Sequence, residues 1–510
     1  MTEDLSRRRL FGLAGATMAG AAGLGMSGCA AFSSSRPPKA TLATTTADAS
    51  AGFVSRPDLT PPEITVRQYG LGPDSQYIFL NCPYSGPGRG GTIIMDPRGQ
   101  LVWLGPNTVT EHRMDLAVQT YQGKPVLTWW QGLVTEGYGR GEGAIANSSY
   151  EIIKTVRCVG GVEADLHEFN ITPQGTALLT AYRTVAGVDL SDVGGPSSGG
   201  YLLSGVAQEI DIETGKLVFE WDSYGSGDVP VSETYEKIGP GDGGYGTAAR
   251  PFNYFHINSI AAYDDEHLLI SARNTWAVYL VSKTTGHVVW RMNGKNSSFD
   301  MDPTAKFYWQ HHVRPHSGNL MTVFDNGASP AEETHSRALV LQVDVAGKRV
   351  ALHKQYIHPG EVLLAGAMGS AQLLTDGMFV GWGTCPNFSQ FDYTGRLLLD
   401  GSMAKGAASY RAFTGNWAGH PADLPAVAAR HRSSGSGATV YASWNGATGI
   451  ASWTVYAGKT AASVKEIGTA RSSGFETAIN VSNSGPWFAA AALDRAGHTM
   501  AKSEPVKIGS

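Results

Sequence analysis

Three short segments carry the residues whose types and spacing point to chemistry: Asp165-Leu166-His167-Glu168-Phe169, His256-Ile257-Asn258-Ser259 and Trp309-Gln310-His311-His312. Between the last two lies Ile270-Ser271-Ala272-Arg273-Asn274. An imidazole nitrogen is a good nucleophile at neutral pH and exchanges protons there. A guanidinium with further donors stabilises negative charge spread over several oxygens. His167, His256, His311, Asn258 and Arg273 are therefore a set suited to one anionic group. Any one of these histidines alone reads as a hydrogen-bonded core or surface residue, and Arg273 alone as a structural ion-pair partner. The set gains meaning because each member follows or occupies a strand-like run. The histidines are 89 and 55 residues apart, about the spacing of successive or alternate propeller blades, which would bring them to a common axis. A metal site at His311, His312 and His316 fits less well, since neighbours in a strand point to opposite faces. His312 is expected outward or in a loop, and no metal or cofactor is expected.

The elements that must position this set are β-hairpins. The chain has 64 glycines, often in Asn-Gly, Asp-Gly and Gly-Gly turns, and little helical periodicity. A recurring pattern joins an apolar strand, a polar residue, a Gly turn and a strand ending in an aromatic or apolar residue. It runs through Gly99, Gly215, Gly286, Gly347 and Gly395, as expected for the outer hairpin of a four-stranded blade. The reading is all-β: a six-bladed β-propeller over 54–418, with five or seven blades as alternatives, then a small immunoglobulin- or fibronectin type III-like β-sandwich over 419–510. Trp444 and Trp453 are expected in the sandwich core. Trp129, Trp130, Tyr254, Phe255, Tyr308 and Trp309 suit either an aromatic-substrate pocket or blade packing.

Residues 1–28 read as an export signal: Arg7-Arg8-Arg9 precedes a short Gly/Ala-rich apolar stretch ending at Met26-Ser27-Gly28-Cys29, a twin-arginine pattern with a lipobox-like end. Lipidation of Cys29 would anchor the chain to the membrane, with plain secretion as the alternative. The Ala/Ser/Thr/Pro stretch 29–53 is expected to act as a disordered tether. A net charge of -5 without a basic run after the signal excludes nucleic acid as a partner. Cys82, Cys158 and Cys385 are an odd number with no Cys-x-x-Cys pair, so quiet thiols are expected, with a Cys82–Cys385 disulfide as the alternative.

Taken in order, Gly90-Gly91-Thr92-Ile93-Ile94-Met95-Asp96, Asp165-Leu166-His167-Glu168-Phe169, His256-Ile257-Asn258-Ser259-Ile260, Ser271-Ala272-Arg273, Gln310-His311, Thr322-Val323-Phe324-Asp325-Asn326-Gly327 and Gly369-Ser370-Ala371-Gln372 resemble the arylsulfotransferase family over about residues 75 to 405. The resemblance implies a six-bladed propeller that moves a sulfuryl group from a phenolic sulfate ester to a phenolic acceptor without a nucleotide donor. By motif, His311 matches the transiently sulfated histidine. His167, His256, Asn258 and Arg273 match the groups that hold sulfuryl oxygens and assist proton movement, and Ser370 is a candidate for a contributing hydroxyl. Two departures stand out: His312 follows His311 where a small or acidic residue is usual, and a C-terminal sandwich replaces an N-terminal one. A hydrolase releasing sulfate to water, a lyase and a silent ligand-binding or scaffold propeller remain as alternatives.

Overall fold

All five Gly-turn hairpins form. In the computed structural model, which describes residues 43–46, 52–70, 76–82, 91–106, 111–404, 406–432, 436–482 and 485–509, each is an antiparallel strand pair. Where the first strand ends in aspartate, its side chain caps the turn. Asp96 Oδ1 accepts from the amides of Arg98 and Gln100, each at 2.9 Å, and Asp392 Oδ1 from those of Thr394 and Arg396. Gly99 (φ 80°) and Gly395 (φ 94°) supply the left-handed backbone that the turn needs. In the Gly347 hairpin, Lys348 (φ 51°) takes that conformation instead.

The hairpins are the outer halves of four-stranded antiparallel meanders, and the fold is all-β and propeller-like. Their inner strands are Ala412–Gly415, Ala164–Ile171, Ile257–Ala262, His311–His316 and Ser370–Leu374. A further meander begins at His112–Tyr121. These first strands lie against one another in a closed cycle. Each sheet is packed on both faces, which is why Ala277–Ser282 is buried at every position and reads as a continuous apolar run rather than an alternating one. Closure uses both ends of the segment. Ala412–Gly415 pairs with Tyr77–Asn81, and Ile64–Gln68 adds an outer strand to Leu397–Met403.

From Ala426 onward the chain forms two further antiparallel sheets. Trp444 and Trp453 lie in the core between them with Val440, Val455, Ile479 and Phe488. This part is fixed to the preceding meanders: the Asn445 amide bonds both the N–H and the carbonyl of Leu104, and the Tyr150 hydroxyl donates to Gly446 O at 2.6 Å. The segment expected as a tether also takes part. Ala43–Thr46 pairs with Glu476–Val481 as an edge strand, and Phe53 is buried with its ring 4.4 Å from that of Phe475. Glu476 accepts from the amides of Val54 and Ser55 and from the Ser55 hydroxyl. The signal segment and Cys29 lie outside the described residues. No disulfide links Cys82, Cys158 and Cys385. The alternative of a Cys82–Cys385 pair fails because Cys82 Sγ lies 3.2 Å from Met403 Sδ, while Cys385 packs on a different cluster beside Phe324 and Trp382.

Candidate active site

The site histidines stand where three inner strands break their pairing. Register slips between Ala164 and Phe169, between Ile257 and Ser259, and between His311 and Arg314. Such bulges re-aim side chains that strict alternation would send elsewhere. Left-handed backbone at His256 (φ 54°), Trp309 (φ 57°) and His312 (φ 51°) adds to this, at about 1–3 kcal/mol each for residues with a side chain. The outcome is convergence. Ring centroids are 4.9 Å apart for His167 and His256, 6.4 Å for His167 and His311, and 6.3 Å for His256 and His311. One ring nitrogen of each lies within 4.8 Å of the others.

Neighbouring groups fix the tautomers. The Asn326 amide donates to Ala365 O and Met368 O, both at 3.0 Å, so its Oδ1 faces His311 Nδ1 at 2.8 Å and accepts a hydrogen from it. His311 Nε2 therefore carries the lone pair, and it accepts from the Met368 amide at 3.3 Å. His167 Nδ1 donates to Asp165 Oδ2 at 2.5 Å, which leaves its Nε2 as a second acceptor. His256 has the opposite arrangement. Asn253 Oδ1 accepts from the His256 amide at 2.9 Å, so the Asn253 NH₂ faces His256 Nδ1 at 3.1 Å and puts the ring hydrogen on Nε2. The three nitrogens are spaced for a metal ion. However, metal-bound imidazoles donate their other N–H to an acceptor, and His256 does not.

Arg273 makes the site electropositive. Its guanidinium is 4.6 Å from the Trp309 ring and donates to Asn274 Oδ1 at 2.9 Å and Gly366 O at 3.0 Å. Its Nε is buried with no partner. No carboxylate among the described residues forms an ion pair with it, and burial pushes its pKa down to about 10. Its hydrogen-bond acceptors are all neutral, and the nearby Glu236 only partly offsets the effect of burial, so this half-buried guanidinium can take up an anion.

A family model described as Arylsulfotransferase (ASST) matches residues 117–404. The chain belongs to the arylsulfotransferase family. Comparison with curated proteins finds no match. Among solved structures, the chain is similar to the Myceliophteria thermophila Cps50 (Swd1) β-propeller domain (12% identity, TM-score 0.34, covering 72% of this chain and 95% of that one). It is also similar to Staphylococcus aureus virginiamycin B lyase (10% identity, TM-score 0.30, covering 67% and 99%). At these scores neither carries a functional argument.

Within this arylsulfotransferase-family chain the motif residues divide into two groups. His167, His256 and His311 converge, with Arg273 close enough to oppose a charge on His256 and His311. Asn258 has a different place: its amide donates to Gln310 O at 2.6 Å, so it holds the peptide just before His311. Gln310 in turn donates to Ser271 Oγ and Ala272 O. Ser370 exchanges hydrogen bonds with the Ala412 backbone. His312 is not outward as expected. It is buried, and its Nδ1 accepts from the Ala371 amide, because the left-handed turn at this residue swings it to the far side of the inner strands. Trp129, Trp130, Tyr254 and Phe255 are packing residues, whereas Trp309 seats Arg273.

Sequence reading did not assign Asp165, Asn326 or Arg411. Asp165 had a signal, because residues i and i+2 of a strand share a face and Asp-x-His sets a carboxylate beside an imidazole. Asn326 and Arg411 reach the site only through tertiary structure. Arg411 donates to the carbonyls of His167 and Asn258 at 2.7 and 2.9 Å and pairs with the buried Asp115 and Glu168.

Burial, together with Arg273 and His167, holds His311 well below the ordinary imidazole range. A lowered pKa keeps the neutral, nucleophilic form present as pH falls. For a reaction in which His311 attacks an aryl sulfate, the rate of the first chemical step is therefore expected to stay level from pH 8 to pH 6 in stopped-flow release of the phenol. An acid limb near the ordinary value of about 6.5 would contradict this.

Proposed function

We propose that this chain moves a sulfuryl group from an aryl sulfate ester to a phenolic acceptor through a sulfohistidine at His311, on the axis of a six-bladed propeller. The observation that carries the reading is the convergence of three imidazoles beside a half-buried guanidinium that forms no ion pair among the described residues. His311 Nε2 attacks sulfur while the bond from sulfur to the phenolic oxygen breaks. The product imidazole bears the sulfuryl group on Nε2 and keeps its Nδ1 hydrogen on Asn326. Arg273 and the His256 Nε2–H face the negative charge that spreads over the sulfuryl oxygens, by analogy with phosphoryl transfer. An acceptor phenol then takes the group from nitrogen.

The surroundings support a ping-pong order. Behind the histidines, Arg411 with Asp115, Glu168 and Arg314 fills the middle of the inner strands. These residues form the floor of a separate cavity of about 360 Å³ whose walls include Gln119, Phe169 and Phe413. With these residues behind the histidines, donor and acceptor are expected to approach from the same side, so that the first phenol leaves before the second enters. On the same reading, the leader segment sends the protein out of the cytoplasm, with Cys29 as a lipid anchor and the C-terminal sheets as a fibronectin type III-like module.

The test is incubation of the purified protein with a chromogenic aryl sulfate, with and without a second phenol, followed by peptide mapping of the quenched enzyme. Phenol release stimulated by the acceptor, with a sulfuryl adduct on the His311 peptide, is the expected result. Release of inorganic sulfate at a rate indifferent to the acceptor would identify a hydrolase instead.

A further inference from the structure

Sulfuryl transfer between phenols needs a proton carrier: the acceptor must lose a proton as its oxygen bonds sulfur, and the departing phenolate must gain one. The tautomers restrict which imidazole serves. His256 already bears hydrogen on Nε2, with Nδ1 occupied by Asn253, so it can donate a hydrogen bond but has no lone pair facing the site. His311 Nε2 is the atom that bonds sulfur. His167 Nε2 is the one remaining lone pair among the three.

We infer that Asp165 and His167 form a proton-carrying dyad, in which the buried Asp165 carboxylate holds His167 Nδ1–H and stabilises the imidazolium formed when His167 Nε2 takes the acceptor's proton. This rests on the sulfotransferase reading. Asp165 is fully buried, and both of its oxygens are committed. Oδ1 accepts from the Gly139 amide at 2.6 Å. Oδ2 accepts from His167 Nδ1 at 2.5 Å, from the His167 amide at 3.1 Å and from the Thr180 hydroxyl at 3.2 Å. Gly139 can approach this closely because it has no side chain, since a Cβ there would lie 2.5 Å from Trp130 Cζ2. The carboxylate has no freedom to turn away, so it fixes one tautomer of one ring. The same carboxylate–imidazole–substrate order supplies a general base in other acyl- and group-transfer sites.

The step balances. As the acceptor O–H proton passes to His167 Nε2, the acceptor oxygen bonds sulfur, and the electron pair of the broken S–N bond returns to His311 Nε2. In the next turnover His167 gives that proton to the departing phenolate of the donor. Asp165 is a positioning residue, because it acts through His167 without touching substrate.

The test compares wild type with Asp165→Asn on a series of phenolic acceptors of graded acidity, with the two half-reactions measured separately by rapid quench. The side-chain amide introduced by this substitution would meet a donor in either orientation or reverse the His167 tautomer. Transfer to acceptors that stay protonated at the assay pH is expected to fall by about 10²–10⁴-fold. Transfer to acceptors already ionised, which bring no proton, should fall less than about tenfold. A loss equal across the whole series would overturn the dyad and leave Asp165 a structural residue. If Asp165→Asn does not fold, Thr180→Val, which removes one donor to Oδ2 at similar volume, is expected to show the same dependence on acceptor acidity at smaller amplitude, and a flat response there also overturns the dyad. A wild type that transfers to no acceptor would instead remove the sulfotransferase reading itself.

Discussion

His311→Ala is expected to lower sulfuryl transfer by roughly 10⁴-fold or more, the scale seen when the nucleophile of a concerted group is removed, and to abolish the protein-bound adduct. The imidazole makes three hydrogen-bond contacts, from Nδ1 to Asn326 Oδ1 and Trp309 O and to Nε2 from the Met368 amide, and Asn326 keeps its two carbonyl partners without it. The fold should therefore survive, with a cost of about 1–3 kcal/mol for the buried acceptor left at Asn326 Oδ1. Neither remaining histidine is placed to take over. His256 presents a hydrogen rather than a lone pair, and His167, whose Nδ1 is held by Asp165, has its one free lone pair, on Nε2, assigned to the proton. Rapid-quench mass analysis with an aryl sulfate decides the matter: an adduct appearing on His167 or His256 in the variant, at a rate near that of wild type, would refute the assignment of His311.

Arg411→Met is expected to be the most destabilising single change near the site, by about 3–5 kcal/mol, because it strands two carboxylates that are almost wholly buried. Asp115 and Glu168 are 4% and 1% exposed, and both accept from Arg411 Nη1. Arg314 still pairs with Glu168, so Asp115 bears most of the loss. Burial already pushes Asp115 up to about 6 against the pull of Arg411, and removing the cation raises it further. A carboxyl whose folded pKa lies above its unfolded value favours the folded state more as pH falls through the folded value. The deficit of the variant should thus be largest at pH 8 and narrow towards pH 5. Thermal unfolding of both proteins across that range provides the check, and a deficit independent of pH would show that lost packing, not an unpaired carboxylate, is the cause.

The parts of this molecule legible in its sequence are those built by local rules. The Asp-to-Gly hairpins announce themselves because a side-chain cap and a left-handed turn residue are both local requirements, met at Asp96 with Gly99 and at Asp392 with Gly395. His167, His256, Arg273 and His311 were legible because each sits in a short motif beside a strand. Asn258 was legible as a site residue, but its task was not, since its partner is a peptide carbonyl on a different sheet. His312 was placed outward on the rule of alternation, which fails where the register slips and the backbone turns left-handed. Asn326 reaches His311 across a strand pair, and Arg411 reaches His167 and Asn258 from the far end of the propeller-like segment. Pairings that remote leave no trace in local spacing.

The position of Arg411 has a consequence for biosynthesis. It directly precedes Ala412–Gly415, the strand that must find Tyr77–Asn81 before the circle of sheets is shut. Residues that would do the chemistry, from His167 to His311, leave the ribosome well before the residue that seats two of their strands. A nascent chain, or one truncated before Arg411, thus holds these imidazoles unassembled, and the site comes together only once the segment through Gly415 has been made.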